Sequence, residues 1–101
     1  MKFLVTGATG FIGKNLVSYL QRAGVEVATC GRTMYEYSQE HYIVDLKSIH
    51  DVRSMIGHSQ PDIIVHLAGS SAGKPDYDNP SLVFEENVSG TNNLATACST
   101  L

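Results

Sequence analysis

The sequence predicts an α/β chain, a doubly wound parallel sheet of four strands in the order 3-2-1-4 with helices on both faces. Three observations carry this. Short apolar, β-branched runs alternate with stretches of helical periodicity along the 101 residues. The first run, Phe3-Leu4-Val5, has no polar alternation and reads as a strand covered on both faces, as in a parallel sheet. Glycines 7, 10 and 13 stand between that run and the first helical pattern, which gives strand, tight turn and helix N-terminus in one stretch. Right-handed crossovers then leave few topologies open.

The first strand is Lys2–Thr6. A helix follows from Gly10 or Phe11 to Ala23, with Ile12, Leu16, Tyr19, Leu20 and Ala23 at helical spacing and Gly24 as its stop. Val25–Cys30, rich in β-branched residues, is the second strand. Residues 31–40 form a polar loop or irregular turn, with room for a short helical piece around Tyr35. His41–Val44 is the third strand. Ser48 caps the next helix with Asp51 three residues on, an acidic version of the capping box; Ile49, Val52 and Ile56 face inward and Gly57 ends it. After Pro61 the fourth strand is Asp62–Leu67. A glycine- and serine-containing loop runs to Asn79, which caps a helix opening with Pro80. Phe84, Val88, Thr91, Leu94, Ala95 and Cys98 share one face of that helix. The sheet is incomplete on the strand-four side, where an apolar edge is left open.

Composition narrows the function classes. A hydrophobic content of 43% with 17% charged residues describes one small soluble domain without a disorder signature. The net charge of −3, with no run of Lys or Arg, argues against a nucleic-acid surface. No stretch approaches the roughly 18 apolar residues needed to span a bilayer, and the apolar start stops at Thr6, too soon for a signal peptide. Cys30 and Cys98 stand in no metal or redox spacing and read as free, largely buried thiols of a reducing compartment. The four histidines have no metal-type spacing. The expectation is a cytoplasmic protein with no metal, no membrane and no nucleic-acid partner.

The glycine turn is the most informative stretch. The first N–H groups of a helix lack internal partners and its dipole favours an anion, so a pyrophosphate has a home there. Gly7 lets the chain turn with unusual φ, Gly10 lets backbone approach phosphates, and Gly13 lets the helix pack tightly on the sheet. A glycine-rich turn without a ligand is the plainer alternative. The agreement of strand, turn and helix signals weakens it. The switch point between strands one and four opens a crevice at the strands' carboxyl ends. Thr6–Gly13, Cys30–Arg32, Asp45–Leu46 and Leu67–Ala72 all fall at that edge.

The spacing is G-x-x-G-x-x-G rather than G-x-G-x-x-G. Thr6-Gly7-Ala8-Thr9-Gly10-Phe11-Ile12-Gly13 resembles the nucleotide-binding loop of the extended short-chain dehydrogenase/reductases, the NAD(P)-dependent epimerase/dehydratase family. The resemblance covers nearly all of the chain but only about the N-terminal third of a usual member. It implies a Rossmann-type NAD(P)-binding domain, present in its N-terminal portion, with a cofactor-binding set of Gly7, Thr9, Gly10, Phe11, Ile12, Gly13, Arg32, Asp45, Leu46, Leu67, Ala68 and Gly69. Asp45-Leu46 resembles the family's pair against the adenine, though an Asp that simply starts a loop is an equal reading of the residues alone. His66-Leu67-Ala68-Gly69 resembles the His-x-Ala-Ala/Gly segment, whose small residues let backbone pass the ribose and nicotinamide. His66 itself reads as a packed, hydrogen-bonded histidine. Asn87 to Leu94 resembles the Asn-Val-x-Gly-Thr-x-Asn-Leu helix, in which Asn87 matches an asparagine that supports the catalytic residues. Asn, Gly and Thr are poor mid-helix residues and ask for a reason to be there.

NAD-preferring domains carry an acid near the end of strand two. Here that strand ends Ala28-Thr29-Cys30-Gly31-Arg32, with no acid before Glu36. Gly31 stands where the family often has its acid, and the planar fork of Arg32 suits a 2′-phosphate. The expectation is a modest preference for NADP over NAD; a solvated arginine is the alternative.

The family's chemistry needs a Ser or Thr after a fifth strand and a Tyr-x-x-x-Lys pair. None of the five tyrosines, at 19, 35, 37, 42 and 77, has a lysine four residues on. The chain therefore reads as an N-terminal fragment, inactive alone, of a longer NAD(P)-dependent epimerase/dehydratase-type oxidoreductase. The resemblance implies a homodimeric parent acting on a small molecule such as a sugar nucleotide, with epimerase, dehydratase and reductase activities all open. Ser70, Ser71 and Gly73 are candidates to line its substrate. The alternative is a stand-alone, non-catalytic dinucleotide-binding or sensing module. A structural domain that has lost its ligand is a third reading, weakened by glycine at all three motif positions.

Overall fold

A computed structural model describes residues 1–69, 81 and 85–99 of the chain, and the structural statements that follow concern those residues. The elements are β1 (Lys2–Thr6), α1 (Phe11–Arg22), β2 (Glu26–Gly31), β3 (His41–Ile43), α2 (Ile49–Ser59), β4 (Ile63–His66), a π-helical turn (Glu85–Ser89) and α3 (Gly90–Cys98). The strands are parallel and ordered β3-β2-β1-β4, as the sequence predicts, and β4 is an outer strand among the described residues.

β1 explains the unbroken apolar run. Successive side chains leave a strand on opposite faces. Leu4 enters a core with Ala28, Cys30, Val52, Met55, Ile56, Leu94 and Ala97, while Val5 enters a second core with Ala8, Val17, Leu20 and Val27. Both side chains are fully excluded from solvent. At Leu4 and Val5 the central strand therefore has no solvent-facing side, and the one polar residue buried in it, Thr6, has its hydroxyl fully hydrogen-bonded.

Each helix departs from its sequence reading in phase or length. On α1 the buried line is Gly13, Val17 and Leu20, whereas Ile12, Tyr19 and Ala23 are exposed. Gly13 sits hard against the turn before the helix and sets its rotation, a constraint that hydrophobicity alone does not report. On α2 the Ser48 hydroxyl accepts from the Asp51 N–H at 3.4 Å, as a cap should. That helix does not stop at Gly57, which is exposed inside it; it runs to Ser59 and ends on Gln60 at φ 45°. Met55 and Ser59 join Val52 and Ile56 on the buried line, and Ile49 is half-buried.

The last helix is re-phased. The π-helical turn carries an i→i+5 pattern and inserts an extra residue into the helical repeat. Gly90, Leu94 and Ala97 are consequently buried, while Val88, Thr91 and Ala95 are exposed and Cys98 is half-buried. Asn79, Pro80 and Phe84 lie outside the described residues. Residues 32–40 contain bends and turns but no helix around Tyr35. The second strand is shifted by one residue at both ends, the third stops one residue early, and the fourth is Ile63–His66.

The edge opposite the carboxyl ends is closed by a polar cluster. Lys2 Nζ lies 2.8 Å from Glu40 Oε1, and the Tyr42 hydroxyl donates to Glu40 Oε2 at 2.6 Å. The Lys2 N–H donates to Asp62 Oδ2 at 2.7 Å. Partial burial alone would push the Glu40 carboxyl up, but hydrogen bonds from Lys2 and Tyr42 and the Lys2 charge outweigh it and hold it below the usual carboxylate value. Among the described residues no helix is long and apolar enough to cross a membrane, and no group of His, Cys, Asp or Glu could hold a metal ion.

Candidate functional site

The carboxyl ends of β1, β2 and β4 and the segment after β3 enclose a cleft of about 240 Å³. Gly7, Thr9 and Gly10 form one wall, Leu67, Ala68 and Gly69 another, and Arg32 with Asp45 and Leu46 the far end. These are sequence-predicted residues from four separate segments, brought together by the parallel topology. Cys30, Gly31, Val44 and Lys47 also line the cleft. Phe11, Ile12 and Gly13 do not: the first two side chains are exposed at the start of α1, and Gly13 is buried beneath the turn.

The turn itself has no space for side chains at two of its glycines. Gly7 is held at φ +69°, and a Cβ there would lie 2.7 Å from the Leu67 carbonyl carbon and the Ala68 nitrogen. A Cβ at Gly13 would run into the Gly7 carbonyl. Gly13 thus lets the start of α1 close down on the turn, while Val17 and Leu20 pack the helix on the strands. The Gly10 N–H closes the turn on the Gly7 carbonyl at 3.1 Å.

Gly10 caps α1 with no side-chain hydrogen bond, and no acid stands in the first turn. The helical bonds begin with the Lys14 N–H to the Gly10 carbonyl at 2.9 Å. The preceding N–H groups therefore keep the anion-binding character of a helix N-terminus, with no carboxylate beside them to cancel it. A glycine cradle without room for Cβ, opening beneath such an end, fits a dinucleotide's pyrophosphate.

At the far end Asp45 does begin a turn. Its Oδ1 accepts from the Lys47 N–H at 3.0 Å and its carbonyl from the Ser48 N–H at 2.9 Å. It lines the cleft as well, so starting the turn does not take it out of the site. Leu46 is held by α3: Asn93 Nδ2 donates to its carbonyl at 2.8 Å, and Gly90 lies so close that a Cβ would meet Leu46 Cβ at 3.3 Å. Asn93, to which the sequence reading gave no role, fixes the Leu46 backbone. Its signal was available in the unfavourable mid-helix asparagines.

Thr6 and His66 join the walls. The Thr6 hydroxyl oxygen accepts from the Leu67 and Ala68 N–H groups at 3.0 and 3.1 Å and lies 2.7 Å from His66 Nδ1. With its oxygen so engaged, its proton goes to Nδ1, and the network assigns His66 as the Nε2–H tautomer. Nε2 lies 2.8 Å from Thr91 Oγ1, which in turn donates to the Asn87 carbonyl at 2.6 Å. His66 is the hydrogen-bonded histidine expected, and burial pushes its pKa down. Asn87 stands at the rim, where a Cβ on Gly69 would lie 2.7 Å from its Oδ1. The Cys30 thiol, pushed up to about 12 by burial, stays protonated at neutral pH and is no nucleophile. Ser70, Ser71, Ala72 and Gly73 lie outside the described residues.

The model of the NAD dependent epimerase/dehydratase family matches residues 3–101. The chain belongs to that family. Among members it resembles, the CDP-paratose 2-epimerase of Salmonella typhi is 33% identical over 109 residues, covering 96% of this chain and 32% of that enzyme. The GDP-6-deoxy-D-talose 4-dehydrogenase of Aggregatibacter actinomycetemcomitans is 42% identical, covering 93% and 29% respectively. The crystal structure of the Thermus thermophilus UDP-glucose 4-epimerase in complex with NAD superposes with a TM-score of 0.90 at 31% identity, over 99% of this chain and 34% of that one. The chain thus spans about a third of the length of these family members.

Proposed function

We propose that the chain is the N-terminal, dinucleotide-holding portion of an NAD(P)-dependent oxidoreductase of the epimerase/dehydratase type that acts on a nucleotide sugar. The observation that carries this is the uncapped N-terminus of α1 above a turn where neither Gly7 nor Gly13 has room for a Cβ. The turn from Gly7 to Gly13, with Thr9 and Gly10 in its wall, holds the pyrophosphate through backbone N–H groups. Asp45 and the Leu46 backbone receive the adenine. Leu67, Ala68 and Gly69 pass beside the ribose and nicotinamide, and the exposed Phe11 and Ile12 border the bound cofactor. Nicotinamide, when present, accepts and returns hydride.

Arg32 lines the adenosine end of the cleft in a segment without an acid before Glu36, which supports a modest preference for NADP over NAD. Asn87 has a supporting role only. The acid–base pair Tyr-x-x-x-Lys is absent from the 101 residues, so the chain alone turns over no sugar nucleotide, and with the nicotinamide half of the site incomplete it binds cofactor weakly. The sugar-nucleotide substrate is supported by the names of the relatives, such as CDP-paratose 2-epimerase, and the incomplete sheet supports a longer parent. A homodimeric parent and a reducing, cytoplasmic setting belong to the same proposal; the free Cys30 and Cys98 support the latter. Titration calorimetry with NADP⁺ and NAD⁺ tests the central claim. Binding with NADP⁺ modestly tighter is the expected result, and no heat at millimolar nucleotide would count against it.

A further inference from the structure

His41 opens β3 directly beside Thr29 of β2 in the parallel register. Its Nε2 lies 2.7 Å from the Thr33 carbonyl oxygen, and its Nδ1 lies 2.7 Å from Thr29 Oγ1. A carbonyl only accepts, so Nε2 carries the proton and donates. In the neutral ring Nδ1 is then the acceptor, and the Thr29 hydroxyl donates to it. The ring also fills the space beside Gly31, with Cε1 3.7 Å from the position of a Cβ at that glycine. Tyr35 meets it edge-on, with ring centroids 5.9 Å apart and planes at 67°.

One side chain therefore grips the backbone on both sides of Arg32: it packs beside Gly31 and hydrogen-bonds Thr33. The segment 32–40 has no regular ladder of its own to fix that backbone. We propose that His41 is a positioning residue for cofactor choice. By clamping Gly31 to Thr33 against β2, it places the Arg32 guanidinium at the adenosine end of the cleft, where a 2′-phosphate is told from a 2′-hydroxyl. This rests on the reading of Arg32 given above.

The test measures NADP⁺ and NAD⁺ affinities for the 101-residue chain and for Arg32→Ala, His41→Phe, His41→Gln and the Arg32→Ala/His41→Phe double variant. Phe keeps the ring's packing against Tyr35 and Gly31 but cannot donate; Gln restores a donor at the end of a side chain of similar reach. His41→Phe gives up both the Nε2 donor to Thr33 and the Nδ1 acceptor for Thr29; through the Thr33 bond, which positions the loop, it should lower the NADP⁺ to NAD⁺ affinity ratio about three- to tenfold. His41→Gln should recover most of the ratio, and the double variant should fall no lower than Arg32→Ala. A ratio unmoved in His41→Phe, equal losses for both nucleotides, or additive losses in the double variant would overturn the inference while leaving Arg32 in place. A ratio unmoved in Arg32→Ala would overturn the reading beneath it. Failure to bind either nucleotide would remove both.

Discussion

Thr6 Oγ1 and His66 Nδ1 lie 2.7 Å apart across the β1–β4 register, and the hydrogen bond between them runs from the threonine to the histidine. Only a neutral imidazole can receive it. Protonation of Nδ1 would set two donors against each other and break the Thr6–His66 bond, uncoupling β1 from the Nε2–Thr91–Asn87 chain on the other side of the ring.

A pH dependence follows, and its sign is set by burial. The folded state lowers the His66 pKa below the ordinary 6.5, so the unfolded chain binds the proton more readily. The stability tied to His66 is fully present above 6.5 and is lost as pH falls from there through the folded value. Urea unfolding of the chain and of His66→Gln between neutral and acid pH reads this directly. The variant should be less stable at neutral pH and should show the shallower decline; parallel declines would assign the titration to another group.

Two glycines of one chain should respond in opposite directions to the same substitution. Gly57 is exposed inside α2, and a Cβ there meets nothing within 4 Å. Gly57→Ala should stabilise the fold by roughly 0.5–1 kcal/mol, since alanine gives up less backbone freedom on folding. Gly13→Ala drives a Cβ into the Gly7 carbonyl and should cost about 1–3 kcal/mol, with loss of nucleotide binding. Denaturant midpoints for the two variants decide it, and a stabilising Gly13→Ala would contradict the cradle geometry.

Asn93 offers a test of the proposed adenine end alone. Its amide holds the Leu46 carbonyl at 2.8 Å, so Asn93→Leu should cost about 1–2 kcal/mol by leaving that carbonyl without its partner. Nucleotide affinity should fall further than stability explains, because Leu46 lines the cleft. Binding of AMP is the sensitive measurement, since it engages the adenosine side without the nicotinamide. Unchanged AMP affinity in a folded variant would return Asn93 to a purely structural role.

The strand order and the converging edge were legible because they depend on local pattern and on handedness. Phe3-Leu4-Val5 and Ile63-Ile64-Val65 are apolar whichever face they meet, and the glycine turn announces itself by spacing. Helix phase was less legible. Ile12 is at least as hydrophobic as Val17, but the contact between Gly13 and the Gly7 carbonyl decides which line turns inward. The π-helical turn before Gly90 displaced the last helix's face for a reason the periodicity does not carry. Gln60 ends α2 at positive φ although Gly57 was the better-looking stop: the buried line of Met55, Ile56 and Ser59 carries the helix past that glycine, with the Ser59 hydroxyl satisfied by the Met55 carbonyl. At the site, the backbone-based cradle was visible through its glycines, whereas His41 and Asn93 act on carbonyls that loop geometry brings to them.

The polar cluster at the opposite edge makes the last prediction. Tyr42 is pushed up to about 12, first by burial and then by its hydrogen bond to Glu40 and that residue's charge. The folded state thus keeps a phenol proton that the unfolded chain gives up from its ordinary value of 10.0. Stability from this group is intact below 10 and is lost as pH rises from there toward 12. An ultraviolet tyrosinate titration should show one component rising only toward pH 12, absent in Tyr42→Phe. Glu40→Gln removes the charge and weakens the acceptor but leaves the burial, which is the largest cause. The component should therefore move only part of the way back to 10, and a complete return would place the cause in Glu40 instead.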